Sequence, residues 1–228
     1  MLLDHIGIIF FPEVEIFRWC GRLAMPLFAF FIAEGCLHTL NPKRYFLRIF
    51  GMALFCQTAA ILEQVLQGHL HSVYLNILFT FSLSIPLCFF CIRRKEMLLK
   101  GYGNNALLAG FFAICIVAAI ILLDILCTAA SEKFEMEIAF DYGAAGALLP
   151  AFALLHFSRK KRMIAYAIGV AIFSVVLFGT MRYSWISLLA LPILWFYNGK
   201  RGSEKMQPFF YLFYPAHIAV LYGISLLF

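Results

Sequence analysis

The sequence predicts an all-α, polytopic integral membrane protein: a helix bundle of about nine spanning segments, the first one short. Three observations carry this. Hydrophobic residues fill 64% of the 228 positions and charged residues only 13%, against about 25% charged in a soluble domain. Mean hydropathy is +0.90. The apolar residues, 26 of them Phe, fall into runs near the ~20 residues that cross ~30 Å of hydrocarbon. So little polar surface excludes a soluble catalytic domain. The formal charge of +6 does not point to nucleic acid, because the charges sit in loops. With no internal repeat and no low-complexity linker, residues 1 to 228 read as a single membrane domain.

Cutting the chain at its charge clusters and its Gly, Pro and Asn breaks gives the elements in order. Residues 1 to 12 rise roughly 18 Å at ~1.5 Å per residue, only a half-span. An Asp-His pair interrupts this run, and a signal peptide's basic start and small-residue cleavage site are missing. Segments 17 to 39 and 43 to 65 flank the Asn41-Pro42 break, and 73 to 92 ends at Arg93, Arg94 and Lys95. Segments 105 to 127 and 141 to 157 follow. The turn Met181-Arg182-Tyr183 separates 163 to 180 from 183 to 197, and 207 to 228 closes the chain.

Lys and Arg test this cut, since cytoplasmic loops hold the excess. Fourteen of the 18 lie in loops 40 to 48, 93 to 100, 158 to 162 and 199 to 205. The intervening connections carry only Lys133 and Arg182, with Glu132, Glu135 and Glu137 beside them. The expectation is a multi-pass membrane protein with a cytoplasmic amino terminus and an external carboxyl terminus. The seven cysteines lie mostly in apolar stretches and read as small hydrophobes. The pair His69 and His71 lacks a third ligand nearby, so no metal site is expected.

Ionisable groups at membrane depth are costly unless they face a cavity or a partner, which makes each a candidate for function. Counting along the helices puts Asp4, His5 and Arg22 at one level, with Asn76, Asp141 and Arg182 near the same outer side. An inner tier holds Glu34 and His38 at i and i+4, followed by Arg44 and Arg48, with His156, Asn198 and Arg201 at inner turns. His217 falls near the midplane and could link the tiers. Asn76, Thr80 and Ser84 form one stripe that faces protein, either as interhelical glue or as a substrate surface. Asp4 with Arg22 reads as an ion pair, structural or catalytic. Adjacent helical residues point about 100° apart, so Asp4 does not orient the imidazole of His5. A nucleophile elbow, a phosphate loop and an H-E-x-x-H zinc motif are all missing.

The motifs, taken in order, resemble the TraX family of bacterial membrane proteins, related to the membrane acyltransferase superfamily. The resemblance rests on Leu3-Asp4-His5-Ile6-Gly7, on Gly21-Arg22-Leu23-Ala24-Met25-Pro26-Leu27-Phe28 with Glu34-Gly35, and on Lys43-Arg44-Tyr45 with Arg48. It continues through Asn76-Ile77-Leu78-Phe79-Thr80, Asp141-Tyr142-Gly143, Tyr197-Asn198-Gly199-Lys200-Arg201-Gly202 and Phe213-Tyr214-Pro215-Ala216-His217. It implies an acyltransferase with acetyl-CoA as donor, typified by acetylation of the amino terminus of conjugative pilin. On that footing His5 is the base, Arg22 or Asn76 stabilises the oxyanion, and Asp4 fixes Arg22. Asn76, Asp141, Glu34 and His217 become substrate-binding candidates, and Arg44, Arg48, Asn198 and Arg201 receive the donor. The implied partners are the lipid bilayer, acyl-CoA and an acceptor such as a pilin-like protein or a cell-envelope glycan. The family carries a further half helix ahead of the Asp-His pair, so the expectation is that residues precede Met1 or that activity is impaired. A proton-coupled transporter, which would show inverted repeats, and a non-catalytic membrane assembly factor are the competing readings.

Overall fold

The computed structural model describes the chain except for residues 67, 69–71, 180–182, 200–206 and 226–228. Among the described residues the fold is all-α, apart from two strands of four residues each. The helices are α1 (Leu2–Phe10), α2 (Glu15–His38), α3 (Pro42–Leu66), α4 (Ile77–Leu99), α5 (Gly103–Phe134), α6 (Gly143–Phe152), α7 (Arg159–Val176), α8 (Ala190–Trp195) and α9 (Gln207–Ser225). A 3-10 helix, Ser184–Leu189, runs directly into α8. Helices α2 to α5 are each long and apolar enough to cross a membrane, consistent with a multi-pass membrane protein. The chain forms two compact units, Met1–Phe28 with Val170–Phe228, and Ala29–Gly169.

Helix ends follow local chemistry. Asn41 precedes Pro42, whose fixed φ suits a first helical residue, and its Oδ1 accepts from the Arg44 backbone N–H at 3.0 Å. The Ser158 hydroxyl accepts in the same way from the Lys161 N–H at 3.3 Å, an N-cap for α7. At the end of α4, Gly101 adopts φ +75°. There the Tyr102 and Gly101 N–H groups return to Met97 and Leu98 carbonyls at 2.9 and 3.2 Å, the Schellman pattern that needs a left-handed residue. Inside α2, Pro26 cannot donate to the carbonyl of Arg22. The Ser187 hydroxyl donates to that carbonyl instead, at 3.2 Å.

The strands were not expected. β1 (Ser72–Leu75) and β2 (Glu137–Phe140) pair in parallel, Ser72 opposite Glu137 through Leu75 opposite Phe140, with α4 and α5 as the crossover. They occupy stretches assigned above to the start of a span and to a connection. A two-stranded sheet leaves two open edges, and buried open edges are costly. Helix side chains close both. The Gln57 amide of α3 donates to the Tyr74 carbonyl at 3.2 Å and accepts from the Asn76 N–H at 3.1 Å. The Ser131 hydroxyl of α5 accepts from the Ile138 N–H at 2.8 Å and donates to its carbonyl at 2.9 Å.

Other boundaries differ from the sequence reading for identifiable reasons. Helix α4 begins at Ile77 because Asn76 caps it, accepting from the Leu78 N–H at 3.0 Å. Helix α5 is longer than a span, 32 residues, and stops at Glu135 with φ 49°. Helix α6 covers ten residues of the segment 141 to 157. Tyr142 and Gly143 precede or open it with φ 60° and 54°, and the Ala144 N–H is received by Asp124 Oδ2 of α5 at 3.0 Å. The core of this unit gathers Leu87, Ile120, Cys127, Phe140, Ala147 and Ala151.

Candidate functional site

Two polar clusters stand out, one in each unit. The first is built on α1, α2 and α9. Helices α1 and α2 approach closely at two glycines. A Cβ on Gly7 would overlap Phe17, and one on Gly21 would overlap the Asp4 carboxylate; small residues permit such backbone contact. The approach delivers Asp4 to Arg18, whose guanidinium donates to Asp4 Oδ1 at 2.8 Å. The expected pairing named only Arg22; the structure adds Arg18, one turn earlier, as a hydrogen-bonded partner of Asp4. Arg22 sits one turn further along, and its charge also acts on the carboxylate. Arg18 carries one signal in the sequence, its i, i+4 spacing to Arg22, which puts both guanidinium groups on one helix face.

His5 turns away from Asp4, as the helical angle requires. Its Nδ1 lies 2.9 Å from Nε2 of His217 on α9, with ring centroids 5.1 Å apart. His217 is 7% exposed, and its other nitrogen, Nδ1, lies 2.7 Å from the Phe213 carbonyl. The rings of Phe213 and Tyr214 flank it, at 5.0 and 5.8 Å between centroids. His217 therefore belongs to the same cluster as Asp4, His5, Arg18 and Arg22.

The second cluster lies in the other unit. Glu34, 6% exposed, receives a charged hydrogen bond from Arg162 of α7. Its second oxygen lies 3.5 Å from His38 Nε2, the i+4 neighbour read from the sequence. Arg162 also donates through Nε to the Ala153 carbonyl at 2.7 Å. Arg162, within the basic loop 158 to 162, is the main partner of a buried carboxylate. Both carboxylate oxygens of Glu34 are thus engaged by basic side chains.

The polar stripe on α4 is also engaged. Asn76 donates to the Ala53 carbonyl at 2.9 Å and to Gln57 at 3.2 Å. Thr80 donates to the Asp141 carbonyl, and Ser84 to that of Ala147, each at 2.7 Å. These bonds match the interhelical reading of the stripe. Asp141 contributes its backbone to this network, its N–H donating to Leu75 at 3.0 Å. Arg44 and Arg48 are exposed near the start of α3, and Asn198 is exposed after α8. His156 is exposed, and its carbonyl receives Lys95. His69, His71, Arg182 and Arg201 lie outside the described residues.

The TraX protein family model matches residues 1–225. A relative named "Probable fimbrial assembly protein FimC, serogroup H1", from Dichelobacter nodosus, is 28% identical over 234 residues, covering 97% of this chain and 89% of its own. An uncharacterized protein of Rickettsia prowazekii (strain Madrid E) is 38% identical over 77 residues, 33% of this chain and 30% of its own. No solved structure matches. The matched span takes in α1, with Asp4 and His5, and α9 through His217, so both ends of the histidine contact lie within it: the chain belongs to the TraX family.

Proposed function

We propose that the protein is a membrane-embedded acyltransferase that moves an acetyl group from acetyl-CoA to an amine or hydroxyl acceptor. The observation that carries this reading is the gathering of Asp4, His5, Arg18, Arg22 and His217 in one unit of a TraX-family chain. Proton abstraction needs an imidazole that is neutral and close to cationic groups able to receive developing negative charge. His5 supplies the base. It takes the acceptor's N–H or O–H proton as that atom attacks the thioester carbonyl. Arg22 stabilises the tetrahedral oxyanion, with Arg18 held by Asp4 beside it. Collapse breaks the C–S bond, and the proton on His5 passes to the departing thiolate.

Arg44 and Arg48 are proposed as contacts for the donor's phosphates, which paired guanidinium groups suit. Arg201 and Asn198 are proposed with them. The positive-inside rule gives the proposed orientation, a cytoplasmic amino terminus and an external carboxyl terminus. The name of the Dichelobacter nodosus relative supports a pilin-like acceptor. It equally favours a second reading, a membrane assembly factor without catalysis. Purified protein in lipid nanodiscs, given acetyl-CoA labelled in the acetyl group and a peptide with a free amino terminus, separates the two. Label on the peptide supports the transferase. Retention of all label on CoA, with peptide binding intact, supports the assembly factor.

A further inference from the structure

We infer that His217 is a positioning residue that fixes which ring nitrogen of His5 carries its proton, leaving Nε2 of His5 as the basic atom. His217 Nδ1 lies 2.7 Å from the Phe213 carbonyl oxygen. A carbonyl oxygen only accepts hydrogen bonds, so the 2.7 Å contact requires the proton of His217 on Nδ1. A neutral imidazole with its proton there has a bare Nε2. That nitrogen faces His5 Nδ1 at 2.9 Å. Were His5 also bare at Nδ1, two lone pairs would point at each other across this distance. The proton of His5 therefore sits on Nδ1 and is donated to His217, and its Nε2 lone pair is left for an incoming proton.

The ring of His217 is held for this task. It is hydrogen-bonded to a carbonyl of its own helix and flanked by the rings of Phe213 and Tyr214. When His5 gains a proton at Nε2, its Nδ1–H keeps the same acceptor, so no partner has to reorient during the step. Arg18 of α2 is the cation acting on His5, and His217 of α9 is its titratable neighbour. A guanidinium cannot accept a hydrogen bond from Nδ1. His217 is the acceptor that this proton meets.

The role in acyl transfer rests on the function proposed above, but the proton's location does not. Nitrogen NMR of histidine-labelled protein in nanodiscs, above the imidazole titration range, reads the tautomer directly, with the His5→Gln variant assigning the signal. The expected result is a protonated Nδ1 and a bare Nε2 on His5 in the wild type. His217→Leu should move the proton to Nε2, and His217→Gln, whose amide oxygen can accept from Nδ1–H, should return it to Nδ1. In the acetyl-transfer assay, His217→Leu should lower kcat by about tenfold or more with little change in the donor KM, and His217→Gln should recover most of the loss. A wild-type His5 protonated on Nε2, or a tautomer indifferent to His217→Leu, would overturn the inference. A tautomer that responds while acetyl transfer does not would keep the histidine contact and remove His5 from the transferase mechanism.

Discussion

Asp4 on α1 and Arg18 on α2 form a salt bridge at 2.8 Å, and the carboxylate rests against Gly21, where no side chain fits. The close approach of the two helices and the placement of the ion pair are therefore one feature. Gly21→Ala forces a Cβ into the Asp4 carboxylate and should destabilise the protein by about 1–3 kcal/mol, the usual cost of overpacking. Gly51 on α3 is the control, since nothing lies within 4 Å of a Cβ added there. Gly51→Ala should stabilise by about 0.5–1 kcal/mol through helix propensity alone. Thermal unfolding in detergent, followed by circular dichroism, measures both.

Glu34 and Arg162 are coupled through a buried charged hydrogen bond. Removing one partner leaves the other charge poorly compensated, at a cost of about 3–5 kcal/mol. Glu34→Leu and Arg162→Met should each be strongly destabilising, and the double variant should be milder than either single change predicts. A double-mutant cycle on unfolding free energy checks this. Strictly additive effects would contradict the pairing.

Gln57 closes the outer edge of β1. Gln57→Leu preserves volume but removes the acceptor of the Asn76 N–H and a donor to the Tyr74 carbonyl, and should destabilise by about 1–3 kcal/mol. Hydrogen exchange at Asn76 should rise in the variant, while amides in α7 keep their protection.

Much of this architecture was legible in the sequence, and what was not has physical causes. The long helices α2 to α5 declared themselves because an apolar run of spanning length has few alternatives in lipid. The geometry between adjacent residues was equally plain: Asp4 and His5 diverge, as 100° per residue demands. The strands were hidden, because four residues such as Ser72–Leu75 are too short to show a period, and the groups that close their edges, Gln57 and Ser131, lie distant in the chain. Arg162 was hidden for a different reason. Within Arg159-Lys160-Lys161-Arg162 nothing distinguishes the one cation that α7 turns toward Glu34. His217 was visible as a buried ionisable residue, but its partner lies 212 positions away.

Arg44 and Arg48 are exposed on the first turns of α3. If they receive the donor's phosphates, Arg44→Glu with Arg48→Glu should raise the acetyl-CoA KM about tenfold or more at low salt, and the difference should shrink as ionic strength rises. A steady-state titration at two salt concentrations measures it. A variant with altered membrane orientation and an unchanged KM would mark these residues as topology signals.

The most direct test of the account is the single-turnover rate of acetyl transfer by wild type and His5→Ala, with CoA binding measured in parallel on the same nanodisc preparations. The rate should fall by about 10²–10⁴-fold in the variant, the usual contribution of a positioned general base, with CoA affinity unchanged. An undiminished rate in His5→Ala would contradict it.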